Sequence, residues 1–292
     1  TRAAAGPRAI PNIRAEEDEE MNKRDMTFEH MVDVAEACQA CENLQSVHAI
    51  LHAAGQTEEE IDTMWSRRED CWWSHNFGGM NSRQAVIRGW ANGLANNSKF
   101  WYSLLVKTYP EVEGMDPRPL MECAVHMLAS SIIEVAEDGQ SCRCSWYTPG
   151  VLFSTLNWDG KKDGIWIWER YGNDFVKEDG EWKILSQHVC NDNGGPFDAA
   201  NWAHNAYLNC ITPPPPRKPP VNDAGETPPA PIWDTPLFYS GYNPLQAPQN
   251  PVPWPEPYAT LERDVNSYCM PFAPGEYAIS YPIPKESAGM HN

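Results

Sequence analysis

The histidines carry the first chemical signal. His48 and His52 stand four apart, so on a helix they share a face. Two imidazoles at that spacing suit a zinc site, but the metalloprotease form needs Glu directly after the first His, where Ala49 stands. Acid–base work, a metal site, and one surface with one core histidine are the open readings. His126 lies in ECAVHMLASSIIEV, where Leu128, Ser130, Ile132 and Glu134 share its face at a period of two. His126 and Ser130 among apolar residues predict a polar pair inside a mostly apolar cavity. His188 shares a strand face with Trp182, Ile184, Ser186 and Cys190, and His75 closes an earlier strand beginning at Cys71. One helix and three strands each deliver an imidazole, which predicts convergence on one pocket. Imidazole titrates near neutral pH and serves as either base or acid.

Other side chains add to that pocket. Tyr147 offers a hydroxyl that can polarise a carbonyl or hold a phenol. Glu169 and Arg170 read as ion-pairing residues on an outer face. The 13 tryptophans are the compositional anomaly, with eleven between Trp65 and Trp202. Most pack in a core, while Trp73, Trp146 and Trp168 are expected to give a pocket flat apolar walls. No G-x-S-x-G, Walker or G-x-G-x-x-G pattern occurs, which argues against serine-hydrolase, nucleotide-phosphate and dinucleotide chemistry. Nine cysteines in an irregular pattern do not make a secreted disulfide framework. Cys38-x-x-Cys41 has neither a following His nor a second C-x-x-C, so reduced thiols in a cytoplasmic protein are expected. The first residue is Thr1, which leaves room for a removed leader.

These residues need elements to hold them. Thr27 is a natural N-cap for a helix running to Gly55. Thr57 with Glu60 is a capping box for a second helix. DCWWSHNFGG reads as a strand and turn, and Asn81 or Ser82 opens a further helix. Strands follow in LMECAVHMLASSIIEVAEDG, SCRCSWYTPGVLFST, KDGIWIWERYGNDFVKEDG and EWKILSQHVCND. Asp138-Gly139, Asp159-Gly160 and Asp179-Gly180 are hairpin turns by composition. Helices segregated from an antiparallel meander define an α+β domain.

Three regions result. Residues 1–26 read as a flexible acidic arm and 27–210 as the α+β domain. Residues 211–292 form a Pro-rich extended tail, holding 20 of the 27 prolines. Its aromatics are costly to leave in water, so the tail is expected to be ordered over its own domain or a neighbouring subunit. The net charge of −18 repels phosphate backbones, so nucleic acid is not an expected partner. No stretch approaches the ~20 apolar residues of a membrane span. Trp166 and Trp168 alternate with Ile165 and Ile167, a strand apolar on both faces, which predicts a homodimer or homotrimer.

Residues from about Ala35 to Asp192 resemble the SnoaL-like branch of the nuclear transport factor 2-like superfamily. The resemblance is carried by ENLQSVHAILHAAGQTEEEIDTMWS, WWSHNFGGMNSRQAVIRGW, VHMLASSIIEVAEDGQSCRCSWYTPG and ERYGNDFVKEDGEWKILSQHV. With PWPEPYATL in the tail, the chain is similar to longer bacterial members that include lyases of lignin-derived diaryl compounds. The resemblance implies a cone-shaped curved sheet with N-terminal helices, open to an apolar small molecule. It implies proton-transfer chemistry without a cofactor, as in dehydratases, isomerases and lyases. The strand histidine of that pattern falls on His126, and the Asn a few residues on is Ser130 here. The Tyr and acid of the pattern's first helix fall on His48 and His52. The expected assignment is therefore His52 and His126 as an acid–base pair, with Tyr147 as a further catalytic group. His48, His75, Trp73, Ser130, Trp146, Trp168 and His188 are expected to line the pocket of an aromatic or polycyclic substrate. A binding or assembly module with the same cone is the alternative.

Overall fold

The computed structural model describes residues 27–75, 78–116, 122–154, 163–196, 221–227, 234–236, 252, 254–263 and 265–268. Helix α1 (Phe28–Ala53) opens at Thr27, whose hydroxyl accepts from the His30 amide at 3.2 Å. It stops before Gly55, whose φ of +68° lies in the left-handed region that favours glycine. Helix α2 (Thr57–Met64) departs from its expected start: Gln56 is the N-cap and no side chain caps it. Glu60 is fully buried instead, because an indole and an imidazole claim its carboxylate.

Strands β1 (Trp72–His75) and β2 (Gly78–Met80) form a hairpin. Ser82 caps α3 (Arg83–Val86) by accepting from the Ala85 amide at 3.1 Å. The chain continues through a π-helical turn (Ile87–Asn92) into α4 (Gly93–Thr108). The remaining strands are β3 (Glu122–His126), β4 (Ala129–Val135), β5 (Ser141–Ser154), β6 (Asp163–Glu178), β7 (Glu181–Pro196) and β8 (Thr235–Pro236).

The sheet order is β3-β5-β6-β7-β1-β2-β8, with β4 paired to β5 as well. The strands from β3 to β7 pair antiparallel as expected, and β1 joins the sheet through a parallel pairing with β7. Positive φ at Gly139, Asp179 and Gly180 supports two of the predicted tight turns. Asp159-Gly160 lies outside the described residues. The sheet is curved and unclosed, with the helices packed on one face, which is the expected α+β cone.

The stretch read as one strand after Leu120 is two. β3 ends at His126, Ser130 takes a left-handed φ of +53°, and the register on β5 shifts between Ala129 and Ile132. A one-residue slip exchanges the faces of a strand. Ile132 is therefore exposed, while Ile133 and Val135 pack on the core.

Alternation and register define the inner, helix-covered face. β5 contributes Cys142, Cys144, Trp146 and Thr148, and β6 contributes Glu169, Tyr171, Asn173 and Phe175. Trp146 lies opposite Tyr171 and Thr148 opposite Glu169. Gln187 of β7 lies opposite Asn173 and beside Trp73 of β1. The other face carries Arg143, Gly172, Asp174 and His188. Part of the tail covers it: Asp174 Oδ2 accepts from Ser267 Oγ at 2.5 Å and from the Tyr268 amide at 2.7 Å. The Arg143 guanidinium lies 4.7 Å from the Tyr268 ring and 5.8 Å from Tyr258. Tyr268 and Val252 fill the space a side chain at Gly172 would need. Among the described residues no helix is long and apolar enough to cross a membrane.

Candidate active site

Three imidazoles meet on the inner face. His48 and His52, one turn apart on α1, stack with ring centroids 5.9 Å apart and planes 7° apart. His126, at the end of β3, stacks on the other side of His52 at 5.5 Å and 21°. His52 is thus held between two imidazoles. Trp90 closes the group at 5.1 Å from His52, and Tyr171 stands 5.8 Å from His126. The π-helical turn carries Trp90 inward, a local geometry frequent at functional sites.

Two buried carboxylates serve the outer imidazoles. Glu169 Oε2 lies 3.0 Å from His126 Nδ1, with both side chains under a tenth exposed. Glu60 Oε1 lies 3.0 Å from His48 Nδ1 and also accepts from the Trp65 indole at 2.8 Å. His48 Nε2 is 3.0 Å from the Gln187 amide nitrogen, so both nitrogens of this ring face protein partners. The Gln187 amide can donate to His48 Nε2, which fixes the orientation of this ring. The Nδ1 atoms of His48, His52 and His126 are all buried without a hydrogen bond of good geometry among the described residues, and those of His48 and His126 face a carboxylate at 3.0 Å.

Burial, then His126, then His48, drive His52 well below the usual histidine range, so this ring is neutral near pH 7. Burial, then the charges of Glu169 and Glu60, push the Tyr171 hydroxyl well up, and it hydrogen-bonds Glu169. Tyr171 therefore stays protonated at neutral pH, as a hydrogen-bond donor rather than an acid. Among the described residues, no three or more His, Cys, Asp or Glu side chains are arranged to hold a metal ion.

Several expected pocket residues lie elsewhere. Tyr147 is on the outer face, half exposed, with the Arg170 guanidinium 5.9 Å from its ring. The even residues of β5 face the helices, so an odd one cannot. Trp168 is likewise outward and 43% exposed. Ser130 is exposed at the irregular start of β4. His188 is fully buried on the opposite face, with Nδ1 2.5 Å from Ser74 Oγ. Trp146 faces inward but packs edge-on against Phe175 at 6.2 Å. Trp73 and His75 are inward: Trp73 meets Trp90 at 4.9 Å with the rings tilted by 33°, and His75 stacks on Trp73 at 6.3 Å.

Glu60, Trp90 and Gln187 are not legible as site residues, whereas Tyr171 is offered by its strand as a hydroxyl that could polarise a carbonyl and Glu169 reads as an outer ion pair. The outer-face reading of Glu169 is corrected by its burial, and Arg170, also buried, is the residue that points outward. The signal was present in the alternation Glu169, Tyr171, Asn173, Phe175, where two aromatics mark the inner parity.

Residues 33–188, more than half of the chain, match the model of the SnoaL-like domain. The chain belongs to the SnoaL-like family. A Novosphingobium aromaticivorans protein provisionally named scytalone dehydratase superposes on this SnoaL-like domain with a TM-score of 0.41 and 13% identity, over 59% of this chain and 95% of that one. The hexachlorocyclohexane dehydrochlorinase LinA-type3 of Novosphingobium barchaimii gives 0.40 and 12%, over 59% and 97%. No curated protein sequence matches the chain.

Proposed function

We propose that this SnoaL-like protein is a cofactor-independent acid–base lyase, dehydratase or isomerase acting on an aromatic or polycyclic apolar small molecule. The observation that carries the reading is the buried His126–Glu169 pair at 3.0 Å beside His52, which burial keeps neutral. Glu169 faces His126 Nδ1 and orients the ring, which leaves Nε2 to remove a substrate proton. The imidazolium formed then lies against a carboxylate, which stabilises it where it develops. His52 is the second proton-transfer group, and Tyr147, on the outer face, has no part in this reading. Tyr171 donates toward Glu169 and keeps that carboxylate aligned. Trp73 and Trp90 supply the flat apolar wall.

The test uses a panel of aryl ketones bearing an acidic C–H and a β-hydroxyl, incubated with the protein in D2O and followed by proton NMR. Loss of water, or deuterium uptake at the acidic carbon, is the expected result. His126→Ala lowers either rate by at least about 10²-fold. Saturable binding of these aromatics with neither exchange nor turnover would overturn the reading in favour of a binding module.

A further inference from the structure

A second reactive cluster sits where α1 packs on β5, away from the histidines. Cys41 of α1 and Cys142 and Cys144 of β5 are completely buried in the same core. The two strand sulfurs are 3.6 Å apart, and the Cys41 thiol makes hydrogen-bonding contact with both. One turn before Cys41, Cys38 is only half-buried and lies close enough to feel the charge of Cys142. The helix C-x-x-C thus meets a C-x-C from a strand about 100 residues away, a separation at which cross-links restrict the chain most. All of these thiols are reduced in this structure.

A single buried cysteine behaves as a small hydrophobe. Three in contact place a nucleophile beside its own resolving partners. Burial works against the Cys41 thiolate, but hydrogen bonds from Cys142 and Cys144 outweigh it and bring this thiol down to about 6. Burial instead pushes Cys38 up to about 11 and Cys71 up to about 12. Reactivity follows the thiolate, so the cluster singles out Cys41.

We propose that Cys41 and Cys142 form a redox-active pair, oxidised by a small peroxide to a disulfide that joins α1 to β5. The Cys41 thiolate attacks one peroxide oxygen, the O–O bond breaks, and a sulfenic acid forms as the released hydroxide takes a proton and leaves as water. The Cys142 sulfur then attacks the sulfenic sulfur. The S–S bond forms, the S–O bond breaks, and a second water leaves with the Cys142 proton. Two thiols lose two electrons and two protons, and one peroxide becomes two waters. The bridge ties the helix that carries His48 and His52 to the sheet. The proposal stands whether or not the histidine site turns over a substrate.

The test is peptide mapping of the full chain. Native protein is treated with hydrogen peroxide, capped with N-ethylmaleimide, denatured without reductant and digested with trypsin. Cleavage after Arg143 separates Cys142 from Cys144; Cys38 shares a tryptic peptide with Cys41, and Cys123 with Cys142, so fragmentation of the linked peptides assigns the joined sulfurs. The expected product joins the Cys41 peptide to the peptide ending in Cys142-Arg143. It is lighter than the sum of the two by about 2 Da, the two hydrogens lost, and dithiothreitol abolishes it. The melting temperature of the oxidised protein rises and returns with the same reductant. Cys41→Ser and Cys142→Ser each remove the link and the shift, with circular dichroism reporting the fold. Full maleimide capping of Cys41 and Cys142 after peroxide would overturn the proposal. So would a link confined to Cys142 and Cys144, or one that persists through Cys38 in Cys41→Ser. The mapping is done on the wild-type chain, so its result does not depend on either variant folding.

Discussion

Glu169→Gln separates charge from shape at the proposed base. The amide keeps the volume and one acceptor but removes the negative charge beside His126. Its kcat is expected to fall by about 10²-fold or more with KM little changed, because the lost interaction grows only as the imidazolium forms. Equal losses for Glu169→Gln and Glu169→Ala, entirely in KM, would count against that role. His188 makes a second prediction, on stability. Burial, then His75, bring His188 down to about 3. The unfolded chain binds a proton there below about pH 6.5 that the folded chain refuses until about pH 3. The stabilisation is complete above the upper value and drains away as the pH falls toward the lower one. His52, lowered by burial, His126 and His48, acts in the same direction, while Asp174, raised by burial, acts in the opposite one. Urea titrations at stepped pH should show His188→Gln flattening the acid limb by up to a few kcal/mol. At this scale the sequence showed its imidazoles and hid their partners. His126 stands among apolar residues and is conspicuous. Glu169 next to Arg170 looks like a solvated ion pair, and only the register of β6 on β5 shows that they point to opposite faces.

Among the elements, helix boundaries followed local chemistry closely. Thr27, Gly55 and Ser82 each act where their side-chain or backbone preferences place them. The first element misread was α2: Thr57 and Glu60 satisfy the capping pattern, but a long-range demand from His48 and Trp65 takes the carboxylate inward. The second was the strand after Leu120. Nothing local announces that Ser130 will adopt a left-handed φ, and that irregularity decides which isoleucine is inside. Gly150 gives this scale its prediction. It lies opposite His126 on β5, and a Cβ there would press on the Val125 carbonyl, which is held in the ladder and cannot yield as a flexible side chain would. Gly150→Ala should cost about 1–3 kcal/mol in chemical denaturation. It should also displace His126 and cut turnover beyond what the stability loss explains. Gly139→Ala, at a turn with open space around it, serves as the strain-only comparison.

For the whole molecule, the outer face of the sheet is where sequence and structure meet least directly. The proline and aromatic content of the tail pointed to a covering role, but not to which face it covers. Tyr268 answers for one patch: it is buried to 1% exposure over Gly172 and Arg143. Tyr268→Ala is expected to destabilise the protein by about 3–5 kcal/mol, the range for losing a large buried side chain, as read by urea midpoint and amide exchange of β6. Trp168 and Tyr147 remain substantially exposed on the same face. We propose a homodimer or homotrimer on this ground, and a monomer by light scattering at micromolar concentration would contradict it.

The parallel pairing of β1 with β7 has a kinetic consequence. Trp72 meets Ser186 and His75 meets Val189, partners more than 100 residues apart. Such a contact closes a long loop before it gains anything, and chains rich in distant pairings fold slowly. The strand that brings Trp73 to Trp90 must wait for nearly the whole domain to be present. The aromatic wall therefore belongs to the final stage of assembly. In refolding, the indole fluorescence of this pair should reach its native value only with the slowest phase. During synthesis, no partial chain that stops short of β7 can hold a finished pocket.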